Sequence, residues 1–269
     1  MKFRTSLRIL YFGALLMLPG LVAAQGPDSV IAHKQIIGRN DVRPIVVSAA
    51  VVGLAFAADR SVQRSFQSGT TQSSSQLRNV STSAGLAADP GVIIFSAATY
   101  LAGLATHSRS VAALGMYTGE AVVLGGVVAE VVKGMAGRSR PKIDSLAVRS
   151  FNPGKGFSND AFGAFPSAET TIAFAAATAS SRYVSRTWPR ASRVVTPAAY
   201  AIAALAGASR LYKNEHWASD VVTGAILGSA SAVGFDRWNV SHPNNVWVRV
   251  FLPSSFTMRG NERRIGWAF

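Results

Sequence analysis

Lys133 and Arg140 stand seven residues apart, and Pro141 follows at once. Further along, Ser209-Arg210 precedes His216, and Asp220 comes four residues after that histidine. Between the two groups lies Pro166-Ser167-Ala168-Glu169. Each group sits where an apolar stretch begins or ends, so three predicted helix ends supply a lysine, two arginines, serines, a histidine and two acids. Cations beside a helix N-terminus make an anion site, because free backbone N–H groups and the helix dipole both favour negative charge. The planar forks of Arg140 and Arg210 suit a tetrahedral oxyanion with several acceptor oxygens. Each residue has an ordinary structural reading as well. Lys133 and Arg140 complement a helix C-terminus, Asp220 serves as an N-cap, Ser209 bonds its own backbone, and Glu169 decorates a first helical turn.

Written as patterns, the groups are K-x6-R-P and S-R-x5-H-x3-D, with P-S-A-E between them. This resembles the superfamily of type 2 phosphatidic acid phosphatases, bacterial non-specific acid phosphatases and vanadium haloperoxidases. The first and third motifs agree at every defining position. The second usually reads P-S-G-H, so Ala168 and Glu169 depart from it. The resemblance implies an all-α helical bundle and hydrolysis of phosphate monoesters or lipid phosphates. His216 would take the phosphoryl group, and Asp220 would accept a hydrogen bond from the other ring nitrogen. Lys133, Arg140 and Arg210 would bind the phosphate oxygens, joined by the Ser167 hydroxyl and the Ala168 N–H. The usual second-motif histidine protonates the leaving oxygen. Glu169 is a substitute acid if a neighbouring phosphate dianion raises its pKa, since like charge disfavours ionisation. No metal or cofactor is implied, except vanadate if the chain is a haloperoxidase. A third reading is an envelope protein that keeps a weakened anion site.

Elements that would carry these residues follow from apolar patterning. The stretches are Pro44–Ala58, Gly91–Thr106, Val111–Val132, Thr170–Ser181, Val194–Ala208 and Val221–Phe235. Their length and small residues predict packed helices. Gln72–Ser83 is rich in Ser, Thr and Gln and reads as a loop, as does Arg149–Phe165 with its Asn152-Pro153-Gly154. Val246–Leu252 is apolar and β-branched, which predicts a small terminal β-hairpin with Arg264–Phe269. The helical phosphatase domain would then span 25–240, with 241–269 as a tail.

Residues 1–24 read as a signal peptide. Lys2, Arg4 and Arg8 form a basic region, Ile9–Leu21 is a short apolar run, and Val22-Ala23-Ala24 fits a cleavage site. The whole chain carries a formal charge of +14 and no cysteine. Disulfides and thiolate metal sites are excluded, and the basic surface attracts anions without selecting among them. The resemblance selects a phosphorylated lipid or a small phosphate ester as partner, with membrane contact and without nucleic acid. Several apolar stretches are shorter than the roughly 20 residues of a membrane span. That predicts an exported, periplasmic helical domain touching a membrane rather than an integral protein. The Arg-rich stretch from Arg182 to Arg193 argues the other way, because it has the character of a cytoplasmic connection.

Overall fold

The computed structural model describes residues 41–243, 245–259 and 262–267. The expected signal peptide lies outside them. Six long helices carry the described fold: α1 (Val42–Phe66), α3 (Ser75–Leu86), α4 (Val92–Ala105), α5 (Arg109–Ala136), α7 (Ala168–Thr187), α8 (Pro189–Tyr212), and a seventh, α9 (Ala218–Ser241), closes the bundle. The short helices are α2 (Gly69–Ser73), α6 (Lys155–Ser158) and α10 (Val246–Phe251). The expected all-α bundle is the observed architecture.

All the helices that an apolar stretch announces, except α4, run past that stretch. Ser61 and Ser65 turn their hydroxyls back onto carbonyls of the preceding turn, so polar residues continue α1 without exposing an unsatisfied group. Two local expectations fail. Gln72–Ser83 is largely helical rather than a loop: Ser68 caps α2 and Ser74 caps α3, each accepting from a backbone N–H three residues on. Serines that read as loop residues are here helix starts. The terminal hairpin is real but shifted. Val246–Phe251 is helical, capped by Asn245, and Val248 and Leu252 share the face that packs on Ala112, Ala113 and Met116. The antiparallel pair is β1 (Ser255–Arg259) with β2 (Glu262–Gly266), Ser255 opposite Gly266. Arg149–Phe165 is the expected connection, interrupted only by α6 and a 3-10 turn at Asp160–Phe162.

Helix α7 is the axis of the bundle. It packs against α5, α8 and α9, while α4 lies on α5, α1 on α9 and α3 on α8. Alanines make this closeness possible: Ala175 and Ala179 meet Ala121 of α5 and Ala232 of α9, and Ala173 and Ala177 meet Ala203 and Ala206 of α8. Where α9 crosses α7, a Cβ on Gly228 would fall 2.1 Å from the Thr171 carbonyl oxygen. The glycine lets the two backbones touch, and this contact sets the height of Ser167 against Asp220, whose backbone atoms bond at 3.0 Å.

Five segments among the described residues are long and apolar enough to cross a membrane: α1, Ser75–Ala105, α5, α8 and α9. Their outer faces expose Val42, Ile45, Val46, Val47 and Leu54 on α1, Phe95 and Leu101 on α4, and Val194 and Ile202 on α8. Large exposed apolar patches of this kind need a partner phase. Five such helices support a membrane protein, and they remove the short-stretch reason for preferring a domain that only touches the bilayer. Helix α7 is outside this set; its surface is consumed by its neighbours.

Gly228→Ala should lower stability by about 1–3 kcal/mol, the usual cost of overpacking. Thermal unfolding of purified protein in detergent measures it. Unchanged stability would mean that α7 and α9 do not meet at this point.

Candidate active site

The last turn of α5 delivers Lys133, and Gly137 ends the helix in a left-handed conformation (φ 58°). A Cβ there would fall 1.7 Å from the Asn152 carbonyl oxygen, so only glycine admits the turn that sends Arg138 and Arg140 inward. Lys133 pairs with Glu130 one turn back. Arg140 donates from Nε to the Asp160 carbonyl at 2.9 Å, from Nη2 to the Asp160 carboxylate at 3.0 Å, and from Nη1 to Glu215 Oε2 at 2.9 Å. The two cations converge on Gly163: a Cβ there would be 3.2 Å from Lys133 Cδ and 3.4 Å from Arg140 Nη2. Arg210, at the end of α8, donates from Nε to Ser209 Oγ at 3.0 Å and lies 3.5 Å from Glu169 Oε1.

His216 is buried in the turn between α8 and α9. Its Nδ1 is 2.6 Å from the Ala164 carbonyl oxygen. A carbonyl only accepts, so Nδ1 carries the proton and the neutral ring turns the Nε2 lone pair toward the cations. Nε2 is 3.4 Å from Arg140 Nη1 and 3.5 Å from Glu169 Oε2. His216, Arg140, Lys133, Arg210 and Glu169 therefore form one cluster, as the motif spacing predicts.

Asp220 departs from its expected place. Its carboxylate is 3.8 Å from His216 Nδ1, outside hydrogen-bond range, and the Ala164 carbonyl holds that nitrogen instead. Asp220 accepts from the Trp217 N–H at 2.7 Å and from Arg138 Nη1 at 2.5 Å. Residues four apart do share a helix face, but His216 lies before the first turn of α9, where that spacing does not hold. Ser167 caps α7: its oxygen accepts from the Thr170 N–H at 3.3 Å and from the Thr170 hydroxyl at 2.9 Å. Ala168 opens the helix, where the first N–H groups have no intrahelical acceptor.

Electrostatics separate the two titratable members. Burial lowers the His216 pKa, Arg140 and Lys133 add to this, and the hydrogen bond and charge of Glu169 oppose it without prevailing. Burial would raise the Glu169 pKa, but His216, Arg210 and Lys133 outweigh it and hold the carboxyl well below the usual range. Without a phosphate in place, Glu169 is an ionised partner of the cations, the opposite of the direction expected beside a phosphate dianion.

Residues 114–242 match the model of the PAP2 superfamily. The chain carries a PAP2 superfamily region. Its matched span contains Lys133, Arg140, Glu169, Arg210, His216 and Asp220. No curated protein sequence matches the chain. Among solved structures, a transmembrane PAP2 type phosphatidylglycerolphosphate phosphatase from Bacillus subtilis is similar at 18% identity, over 71% of this chain and 95% of that one, with a TM-score of 0.36. That degree of overlap is too low to transfer structural detail.

Sequence reasoning missed five participants. The Ala164 carbonyl is backbone and leaves no signal in residue types. Glu215 and Asp160, which share Arg140, belong to loops whose path no periodicity reveals. Arg138 stands in the first motif, two residues before Arg140, and an arginine so close to a site cation was a usable signal. Asp59, which pairs with Arg138, lies at the end of the first apolar stretch and outside the PAP2 region.

Free His216 should titrate below its ordinary value of about 6.5. Its ring nitrogens, followed by 15N NMR with His216→Gln as the assignment control, should show a neutral Nδ1–H tautomer at pH 6.5. An imidazolium at that pH would mean that Glu169, not burial, governs the ring.

Proposed function

We propose that the chain is a phosphoric ester hydrolase that acts on phosphate monoesters, phosphorylated lipids among them, through a phosphohistidine on His216. The observation that carries this reading is the orientation of His216. Its Nδ1 is fixed by a carbonyl and its Nε2 faces Arg140, beside Lys133 and Arg210. In the proposed first step the Nε2 lone pair attacks phosphorus and the ester P–O bond breaks. The three cations stabilise the charge on the equatorial oxygens. A protonated Glu169 gives its proton to the leaving alkoxide. Water then attacks phosphorus, the P–N bond breaks, and Glu169 recovers a proton from that water. The Ser167 hydroxyl and the Ala168 N–H, at the start of α7, supply further donors to the phosphate. No metal ion takes part in this scheme.

Orientation follows from charge. Helix α7 begins at the site and runs away from it, so Arg182, Arg186, Arg190 and Arg193 gather at the opposite end, around Trp188. That Arg-rich connection has the character of a cytoplasmic loop, which would put the site on the outer side of the membrane. A site at the outer end of apolar helices meets the headgroup region, which favours lipid phosphates. The pairing of each site cation with a carboxylate also favours a second reading, an anion site too weak to turn over.

His216→Ala should abolish hydrolysis of an aryl phosphate and of phosphatidic acid in mixed micelles, and vanadate should compete with substrate. Arg140→Ala or Arg210→Ala should cost on the order of 100- to 1000-fold in turnover, while Arg186→Ala, at the far end, should be nearly silent. Near-normal activity of His216→Ala, or inhibition by a chelator reversed by a divalent cation, would overturn the mechanism.

Glu169→Gln separates the acid role from charge balance. An alkyl phosphate, whose leaving group needs a proton, should suffer a large loss, and an aryl phosphate little. Equal losses would make Glu169 a structural or charge-balancing residue. A wild type inactive on every ester, and still inactive as Glu169→His, would leave only the anion-binding reading.

A further inference from the structure

We propose that Asp59, on α1 and outside the PAP2 region, is a positioning residue that sets the charge behind His216, so that the first described helix is part of the active site. This rests on the phosphohistidine reading.

Arg138 lies between two carboxylates with no solvent exposure at any of the three side chains. Its Nη1 donates to Asp220 Oδ1 at 2.5 Å and to Ser219 Oγ at 2.6 Å. Its Nη2 donates to Asp59 Oδ2 at 2.7 Å and to the Val148 carbonyl. Asp59 also accepts from the Ser219 N–H and hydroxyl, both at 2.7 Å. Asp59 and Asp220 share the single guanidinium of Arg138, so the cluster carries a net charge of −1 when both carboxyls are ionised. Phe56, Phe151 and Trp217 surround the guanidinium at 4.9, 5.2 and 5.5 Å, so water does not screen that charge.

The charge sits behind the nucleophile, with Asp220 3.8 Å from His216 Nδ1. When Nε2 takes a phosphoryl group and Nδ1 keeps its proton, the ring becomes cationic. A buried net negative charge at that distance stabilises the cation without competing for the lone pair. Asp59 decides whether the charge is there. With Arg138 and Asp220 alone the cluster is neutral; Asp59 adds the uncompensated unit and fixes Ser219, next to Asp220. The other charged groups around His216 are Glu169 from α7, Lys133 from α5, Arg140 and Glu215 from the loops, and Arg210 from α8 through Glu169.

The test uses the full-length protein in detergent and two opposed variants. Asp59→Asn neutralises the cluster. The His216 titration midpoint, read by 15N NMR, should fall by on the order of one pH unit, and kcat on an aryl phosphate by on the order of tenfold, the same free energy, with KM little changed. Arg138→Gln makes the cluster more negative, and the midpoint should rise. Opposite shifts are what a charge role requires, and a purely structural role does not produce them. Loss of kcat in Asp59→Asn with the midpoint unmoved, or shifts of the same sign in both variants, would overturn the proposal. If one variant fails to fold, the sign of the shift in the other still decides. The midpoint needs no turnover, so it tests Asp59 even where no ester is hydrolysed and the phosphatase reading has failed.

Discussion

Lys133, Arg140 and Arg210 are brought together out of water, and each meets a carboxylate there: Glu130, then Asp160 and Glu215, then Glu169. Three desolvated cations at one place repel one another, and unpaired charges of this kind cost several kcal/mol each. Carboxylates offset that cost while no ligand is bound. The arrangement also defines a ligand, because an incoming group must bring enough negative charge and enough acceptor oxygens to replace the carboxylates it displaces. A phosphate dianion meets both conditions, and a neutral polar group meets neither.

Everything that brings these cations together depends on close helix contact. Helix α7 starts at the site and is surrounded by α5, α8 and α9, whose ends carry Lys133, Arg210 and Asp220. Alanine and glycine dominate its contacts, so the helix axes lie close and the ends fall within side-chain reach of one another. The larger apolar residues are on the outside, on α1, α4 and α8. That inversion suits a bundle in lipid, where burial of large apolar side chains inside the protein brings no advantage over exposure to acyl chains, and close packing of small residues does.

The motif residues were legible because two spacings place charged groups at the ends of apolar stretches. Fold class was legible for the same reason, since those stretches were too long for strands. Helix limits were not, because serine hydroxyls fold back onto carbonyls and let helices continue beyond the apolar stretches, as at Ser61 and Ser65. The hydrogen bond expected of Asp220 came from the resemblance; in the structure the Ala164 carbonyl, a backbone group with no signature in residue types, is 2.6 Å from that ring nitrogen and Asp220 stands back at 3.8 Å. Arg138 and Asp59 are far apart in sequence and become partners only when α1 docks on α9.

Glu169 shows how charge balance and catalysis become one problem. Held between His216 and Arg210, its carboxyl is ionised in the free site, and an ionised carboxyl has no proton to give. A phosphate dianion arriving at Arg210, Arg140 and Lys133 takes over those cations as partners and adds like charge beside Glu169. Both changes favour the neutral carboxylic acid. A proton taken up at that moment is the one a leaving alkoxide needs. A histidine at this position would be governed by opposite rules: burial among cations disfavours its charged form, and the dianion favours it. In the proposed reaction, glutamate would leave the site balanced before substrate arrives and acidic once it has arrived, so the cations proposed to bind phosphate would also hold the acid in reserve.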